Sequence, residues 1–167
     1  MINFQIMLLV MIGLVLALVS GCNSNSAQPG SAPAAAESGP IIEHMAFNVK
    51  DAPAVAKWYA DNLGMKILVA GGPPEFGHFL ADSSGTRLVE FYSNPKAPVL
   101  DFKAIEPASL HLAFFVKDVK ATREKLLKAG GGDMGAPTHT ATGNDLAFVR
   151  DPWGLVIQLV YRAKPMI

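Results

Sequence analysis

IIEHMAFNVKDAPAVAKWYADNLGMKI (41–67) and SLHLAFFVKDVKATREKLLKAGG (109–131) are two versions of one design. Each opens with an apolar, strand-like run carrying a histidine, His44 or His111. Each continues through Val-Lys-Asp into an amphipathic helix that stops at glycine. Each half later closes with a further strand, TRLVEFYSN (86–94) in the first and GLVIQLVYR (154–162) in the second. His44 to His111 is 67 residues and Glu90 to Gln158 is 68. Repetition at a fixed period means two copies of one supersecondary unit.

Within each unit the local signals agree. Residues 41–49 read as a strand, being rich in β-branched and aromatic side chains. Asp51 is a helix N-cap and Pro53 suits a first helical turn. Val55, Tyr59 and Leu63 recur at helical spacing, and Gly64 ends the helix. Strands are expected at Lys66–Ala70 and Phe76–Asp82, separated by Gly71-Gly72-Pro73-Pro74, and Ser83-Ser84-Gly85 turns into the closing strand. The second unit predicts a strand at 109–117, a helix at 119–129 and a weak strand near 135–141. A strand at 145–150, the turn Asp151-Pro152-Trp153-Gly154 and a last strand at 155–162 complete it. The order is βαβββ twice, an α+β pattern.

The repeat fills 41–163, as modules 41–94 and 109–163, and what precedes it differs in kind. Residues 1–21 carry no charged side chain, and 6–19 are a 14-residue apolar run. That is short for a spanning helix, which needs about 20 apolar residues, and suits a signal-peptide core. Val19-Ser20-Gly21-Cys22 follows and resembles a bacterial lipobox, although no Lys or Arg precedes the apolar run. Cys22 is then expected to be lipidated, and 22–40, rich in Ser, Ala, Pro and Gly, to be a flexible tether. The chain would be exported and lipid-anchored to the cell envelope, at the outer membrane or periplasmic face in a Gram-negative host. Cys22 is the single cysteine, which excludes an intrachain disulfide scaffold and a CxxC site. Fourteen basic residues against 14 acidic give no footprint for nucleic acid.

Trp58-Tyr59 is followed by Leu63-Gly64, then come Glu90, His111, and Asp151-Pro152-Trp153-Gly154 before the last strand. In combination these motifs resemble the vicinal-oxygen-chelate superfamily, which includes glyoxalase I, bleomycin-resistance proteins and extradiol dioxygenases. The resemblance implies two modules whose sheets form a cupped mixed sheet around a central cavity. A metal would sit there, held by the first and last strands of each module.

Strand parity independently assigns faces. His44 shares a face with Ala46 and Asn48, Glu90 with Leu88 and Tyr92, His111 with Ala113 and Phe115, and Gln158 with Val156 and Val160. Each polar residue interrupts an apolar strand, and a buried carboxylate calls for a cation or a proton. His44, Glu90 and His111, with Gln158 as the weakest member, are the candidate ligands of one divalent ion, Zn, Ni, Mn or Fe. Asn48, Tyr92 and Phe115 would line the substrate pocket.

In glyoxalase I the position matching Gln158 is a glutamate that serves as ligand and base, and an arginine stands where this chain has Asn48. An amide supplies neither basicity nor a charged fork, and an exported protein would rarely meet a cytosolic glutathione adduct. The expected function is therefore a metal-dependent lyase, isomerase or dioxygenase acting on a small oxygen-chelating substrate, and not a glutathione-dependent glyoxalase I. The alternative is a non-catalytic, sequestering protein of the bleomycin-resistance type. His78 is expected to pack rather than reach the cavity, and His139, Asn144 and Asp145 to form a lip over it, with Asp145 a base if it points inward. Trp153 is expected to pack, and the lysines of the second helix to form a solvated face. The linker 94–108 permits the modules to pair within one chain or be exchanged between two, and a homodimer is expected.

Overall fold

The computed structural model describes residues 39–166. The expected signal segment, Cys22 and nearly all of the expected tether lie outside the described residues. None of the described helices is long and apolar enough to cross a membrane.

The first module comprises β1 (His44–Asn48), α1 (Ala52–Leu63), β2 (Lys66–Ala70), β3 (His78–Ala81) and β4 (Leu88–Tyr92). Its sheet has the order β1-β4-β3-β2, with β1 and β4 parallel. The second comprises β5 (Leu112–Phe115), α2 (Val119–Lys128), β6 (Gly132–Asp133), β7 (Thr138–His139), β8 (Asp145–Arg150) and β9 (Val156–Tyr161). Its order is β5-β9-β8-β6, with β7 also on β8 and with β5 and β9 parallel. The sequence repeat is thus a topological repeat, and the α+β class is as the pattern implies.

The first helix forms where its signals place it. The Asp51 carboxylate accepts the Ala54 N–H at 3.0 Å, and Gly64 closes the helix at φ 69° while its N–H donates to the Ala60 carbonyl. Ala52, Val55, Ala56 and Tyr59 are buried, as are Phe47, Val89 and Phe91 in the sheet's core. The Tyr59 and Phe91 rings lie 4.8 Å apart. In α2 only Val119 and Leu126 are buried.

Two expected strands differ in detail. The strand expected from Phe76 begins at His78, because Phe76 takes a positive φ of 49° and turns the chain. The weak strand near 135–141 is replaced by two short pieces, β6 and β7, on either side of Gly135 at φ 107°.

The modules meet through α1 and the 151–154 turn. The Tyr59 hydroxyl donates to Asp151 Oδ2 at 3.0 Å, and Asp151 Oδ1 accepts the Trp153 and Leu155 N–H groups at 2.9 Å each. The Trp58 indole donates to the Ala129 carbonyl at 2.8 Å and stands edge-on to Trp153, which packs as expected. Phe102, in a short 3-10 turn within the linker, is 4% exposed and contacts Phe47 across the modules. Lys125 donates to the Asn62 carbonyl at 2.7 Å and Arg123 pairs with Asp133, so α2 is less purely a solvated face than its charges suggest. Among the described residues the two sheets do not join: β1 pairs only with β4 and β5 only with β9, leaving both as edge strands.

Candidate metal-binding site

The two parallel strand pairs position the polar residues in the same way. In the first module Ala46 lies opposite Glu90, and in the second Ala113 lies opposite Gln158. His44, which opens β1, and His111, which immediately precedes β5, come two residues before Ala46 and Ala113, so alternation puts them on the same faces. His44 Nε2 lies 3.5 Å from Glu90 Oε2. Each imidazole has an aromatic neighbour at an equivalent place on the adjoining strands. His44 meets Phe79 edge-on at 5.2 Å, and His111 meets Phe148 edge-on at 5.9 Å. Phe79 lies opposite Glu90 and Phe148 opposite Gln158.

Both histidines have Nδ1 engaged. The His44 Nδ1–H donates to the Glu43 carboxylate, and the His111 Nδ1–H donates to the Pro107 carbonyl at 2.7 Å. In the neutral ring, that engagement leaves Nε2 as the nitrogen that carries the lone pair. Facing Glu90, the Nε2 lone pair meets a second acceptor, and two acceptors at that separation call for a shared proton or a cation. The donor set therefore fits a divalent metal.

The chain supplies this fit in two halves. Among the described residues no three of His, Cys, Asp and Glu are gathered where a cation could be held. His44 with Glu90 is one half-site, and His111, on the Gln158 face, is the other. The face around the second half-site is open, with Phe115 63% exposed, while Val69 on the Phe79 side of β2 is exposed as well. A surface cleft of about 570 Å³ lies elsewhere, at the end of β1, lined by Lys50, Pro74, Phe76 and the linker, and includes none of the four candidate ligands.

The expected substrate-pocket residues fare differently. Tyr92 is half-buried on the Glu90 face, and Phe115 stands exposed on the His111 face. Asn48 shares the His44 face, but its amide is engaged by the linker. Nδ2 is directed at the carbonyls of Asn94, Ala97 and Pro98 at 3.0–3.3 Å, and Oδ1 accepts the Asn94 N–H at 2.8 Å. His78 is buried beside Phe91, on the helix-facing side, and donates to the Phe76 carbonyl at 2.5 Å, so it does not reach the ligand face. Asp145 alternates with Leu146 and Phe148, so it points away from Gln158. It accepts from His139 at 2.6 Å, which removes it as an inward-pointing base. Glu43 and Pro107 were not legible as orienting groups. Parity puts Glu43 on the other face of its strand, and a backbone carbonyl has no sequence signature.

Residues 41–159 match the family described as the glyoxalase/bleomycin resistance protein/dioxygenase superfamily. A protein of Vibrio parahaemolyticus named probable lactoylglutathione lyase is 29% identical over 126 residues, spanning 71% of this chain and 88% of that one. Among solved structures, a glyoxalase I variant from Zea mays is 26% identical with a TM-score of 0.59, covering 73% of this chain and 45% of that one. A glyoxalase family protein from Enterococcus faecalis is 22% identical with a TM-score of 0.56, covering 72% and 96% of the two chains, and shares the fold.

Proposed function

The chain belongs to the glyoxalase/bleomycin resistance protein/dioxygenase superfamily, and from that premise we propose that it is a divalent-metal-dependent enzyme acting on a small oxygen-chelating substrate, with a site completed between two copies of the chain. The observation that carries this reading is the pair of equivalent half-sites. Each bears a histidine whose Nδ1–H is given away, and each lies on a sheet whose first strand is an unpaired edge. An open edge strand is a template for pairing with another chain. Joining β1 of one copy to β5 of a second would bring His44 and Glu90 to the His111 and Gln158 of that copy.

In that arrangement His44, Glu90 and His111 would hold the ion and Gln158 would add a neutral amide oxygen. The donor set suits Zn, Ni, Mn or Fe. A bound divalent ion supplies Lewis acidity to two adjacent oxygens of the substrate. Phe79 and Phe148 stand edge-on against the two imidazoles and restrict their rotation. Gln158 orients but cannot accept a substrate proton, which leaves Glu90 as the carboxylate of the set. Asn48, uncharged and engaged by the linker, offers no grip for a carboxylate-bearing tail such as that of glutathione. The name carried by the Vibrio relative therefore does not transfer.

The same lack of a base at Gln158 favours a second reading, a binding module that retains a ligand without turning it over. Ligand binding of full strength by metal-free protein would select it.

Metal analysis of the wild type beside His44→Ala, Glu90→Ala, His111→Ala and Gln158→Ala tests the main reading. Wild type is expected to hold about one ion per pair of half-sites. The first three variants should lose most of it, and Gln158→Ala little. Absence of metal from wild type after reconstitution with each of the four ions would overturn the enzyme reading. We also propose that Cys22 carries the lipid that tethers the domain to the cell envelope. The apolar run, the Val-Ser-Gly-Cys sequence and the tether composition support this.

A further inference from the structure

The linker 94–108 is gripped by one polar side chain from the ligand-bearing face of each module. Asn48 takes its first part, as above, and Arg150 takes its second. Arg150 lies two residues from Phe148 on β8, on the same face, and is half-buried. From Nη1 it donates to the carbonyls of Phe102 at 2.7 Å and Gly154 at 2.8 Å, and from Nη2 to that of Ile105 at 2.9 Å. A planar fork with several donors suits three carbonyls in a way a point charge does not.

The held segment leads directly to a ligand. Glu106 accepts the N–H groups of Ser109 at 2.9 Å and Leu110 at 3.4 Å, fixing the turn that enters β5. The Pro107 carbonyl inside that turn receives the His111 Nδ1–H. The segment also packs closely on Gly154, at φ 103°, where a Cβ would lie 2.8 Å from the Lys103 nitrogen. His44 is oriented by separate means, through Glu43 on its own strand end.

We propose that Arg150 is a positioning residue for His111. By holding the Phe102 and Ile105 carbonyls it sets the Pro107 carbonyl, which fixes the His111 ring as the Nδ1–H tautomer with Nε2 free for the ligand-bearing face. The purpose of this device rests on the proposed metal reading, but its operation does not. The link between modules therefore orients His111, while His44 takes its orientation from Glu43.

The test reads ring nitrogens rather than turnover. The full chain, metal-free in mild detergent at about pH 9, where free imidazole is neutral, is compared by 15N NMR of its histidine side chains with Arg150→Ala, Arg150→Lys and Gly154→Ala. Wild-type His111 is expected as a single Nδ1–H tautomer. In Arg150→Ala it becomes a mixture of both tautomers, while His44 keeps the wild-type signal. Arg150→Lys, whose ammonium cannot span three carbonyls, shows a partial change, and it carries the test if the alanine variant does not fold. Gly154→Ala, which forces Lys103 aside and strains the turn whose carbonyl Arg150 also holds, changes His111 in the same direction. An unchanged His111 signal in the folded Arg150 variants overturns the proposal, as does an equal change at His44, which marks general loosening. If wild type binds no metal yet His111 responds as stated, the metal reading falls and the positioning role stands.

Discussion

Asp151 is 3% exposed, yet it ties the second module's turn to the first module's helix. Burial raises its carboxyl above the usual carboxylate range, and burial together with Asp151 pushes the Tyr59 hydroxyl well up. The folded chain thus holds the Asp151 proton more tightly than the unfolded chain. The stability this group contributes is full below the ordinary carboxylate pKa and is lost as pH rises through the raised folded value. Asp151→Ala strands two backbone N–H groups and the Tyr59 hydroxyl, and is expected to cost about 3 kcal/mol. The loss should be larger near pH 4 than near pH 7, as urea unfolding at the two values would read; a loss that grows with pH contradicts the sign. Gln158 poses the opposite question, that of a missing charge. Gln158→Glu restores a carboxylate opposite Ala113 and should tighten metal retention at least severalfold, by competition with a chelator. Parity alone placed His44, Glu90, His111 and Gln158 on common strand faces. It could not give the partners of Glu43 or Asn48, because these depend on how strand ends and the linker fold back.

The strands and helices were legible wherever caps and periodicity coincided, as at Asp51, Pro53 and Gly64. They were less so where a turn overrode the pattern, at Phe76 and Gly135. The linker reads in sequence as a plain connection, but Phe102 enters the core and Arg150 binds its carbonyls. Nothing in periodicity marks a residue whose partners are backbone oxygens. The edge strands are the elements on which assembly turns. Phe115, at the end of β5 and largely exposed, makes few demands on the single chain. Phe115→Lys is expected to change the stability of the single chain by no more than surface changes do, within about 0.5 kcal/mol, while placing a charge on the proposed junction. Light scattering should then show a dimer in wild type and a monomer in the variant. A dimer that survives the substitution unchanged moves the interface away from β5.

At the scale of the whole molecule two claims remain, where the chain is and how its two halves become one site. Cys22→Ser is expected to abolish lipidation and leave an unprocessed precursor, seen by mass spectrometry and by fractionation of the envelope. A variant that is cut and released normally contradicts the lipobox reading. The central claim is that the site is shared between copies, because one chain does not gather His44, Glu90 and His111. Mixing chains tests it most directly. One partner carries His44→Ala with Glu90→Ala, and the other carries His111→Ala with Gln158→Ala. In a mixed dimer one site unites both damaged halves, and the other unites both intact halves. Neither variant alone should retain metal, and the co-refolded mixed dimer, isolated by two different tags, should regain about one tight ion per dimer. If wild type binds metal but the isolated mixed dimer binds none, the site lies within a single chain and the account is contradicted.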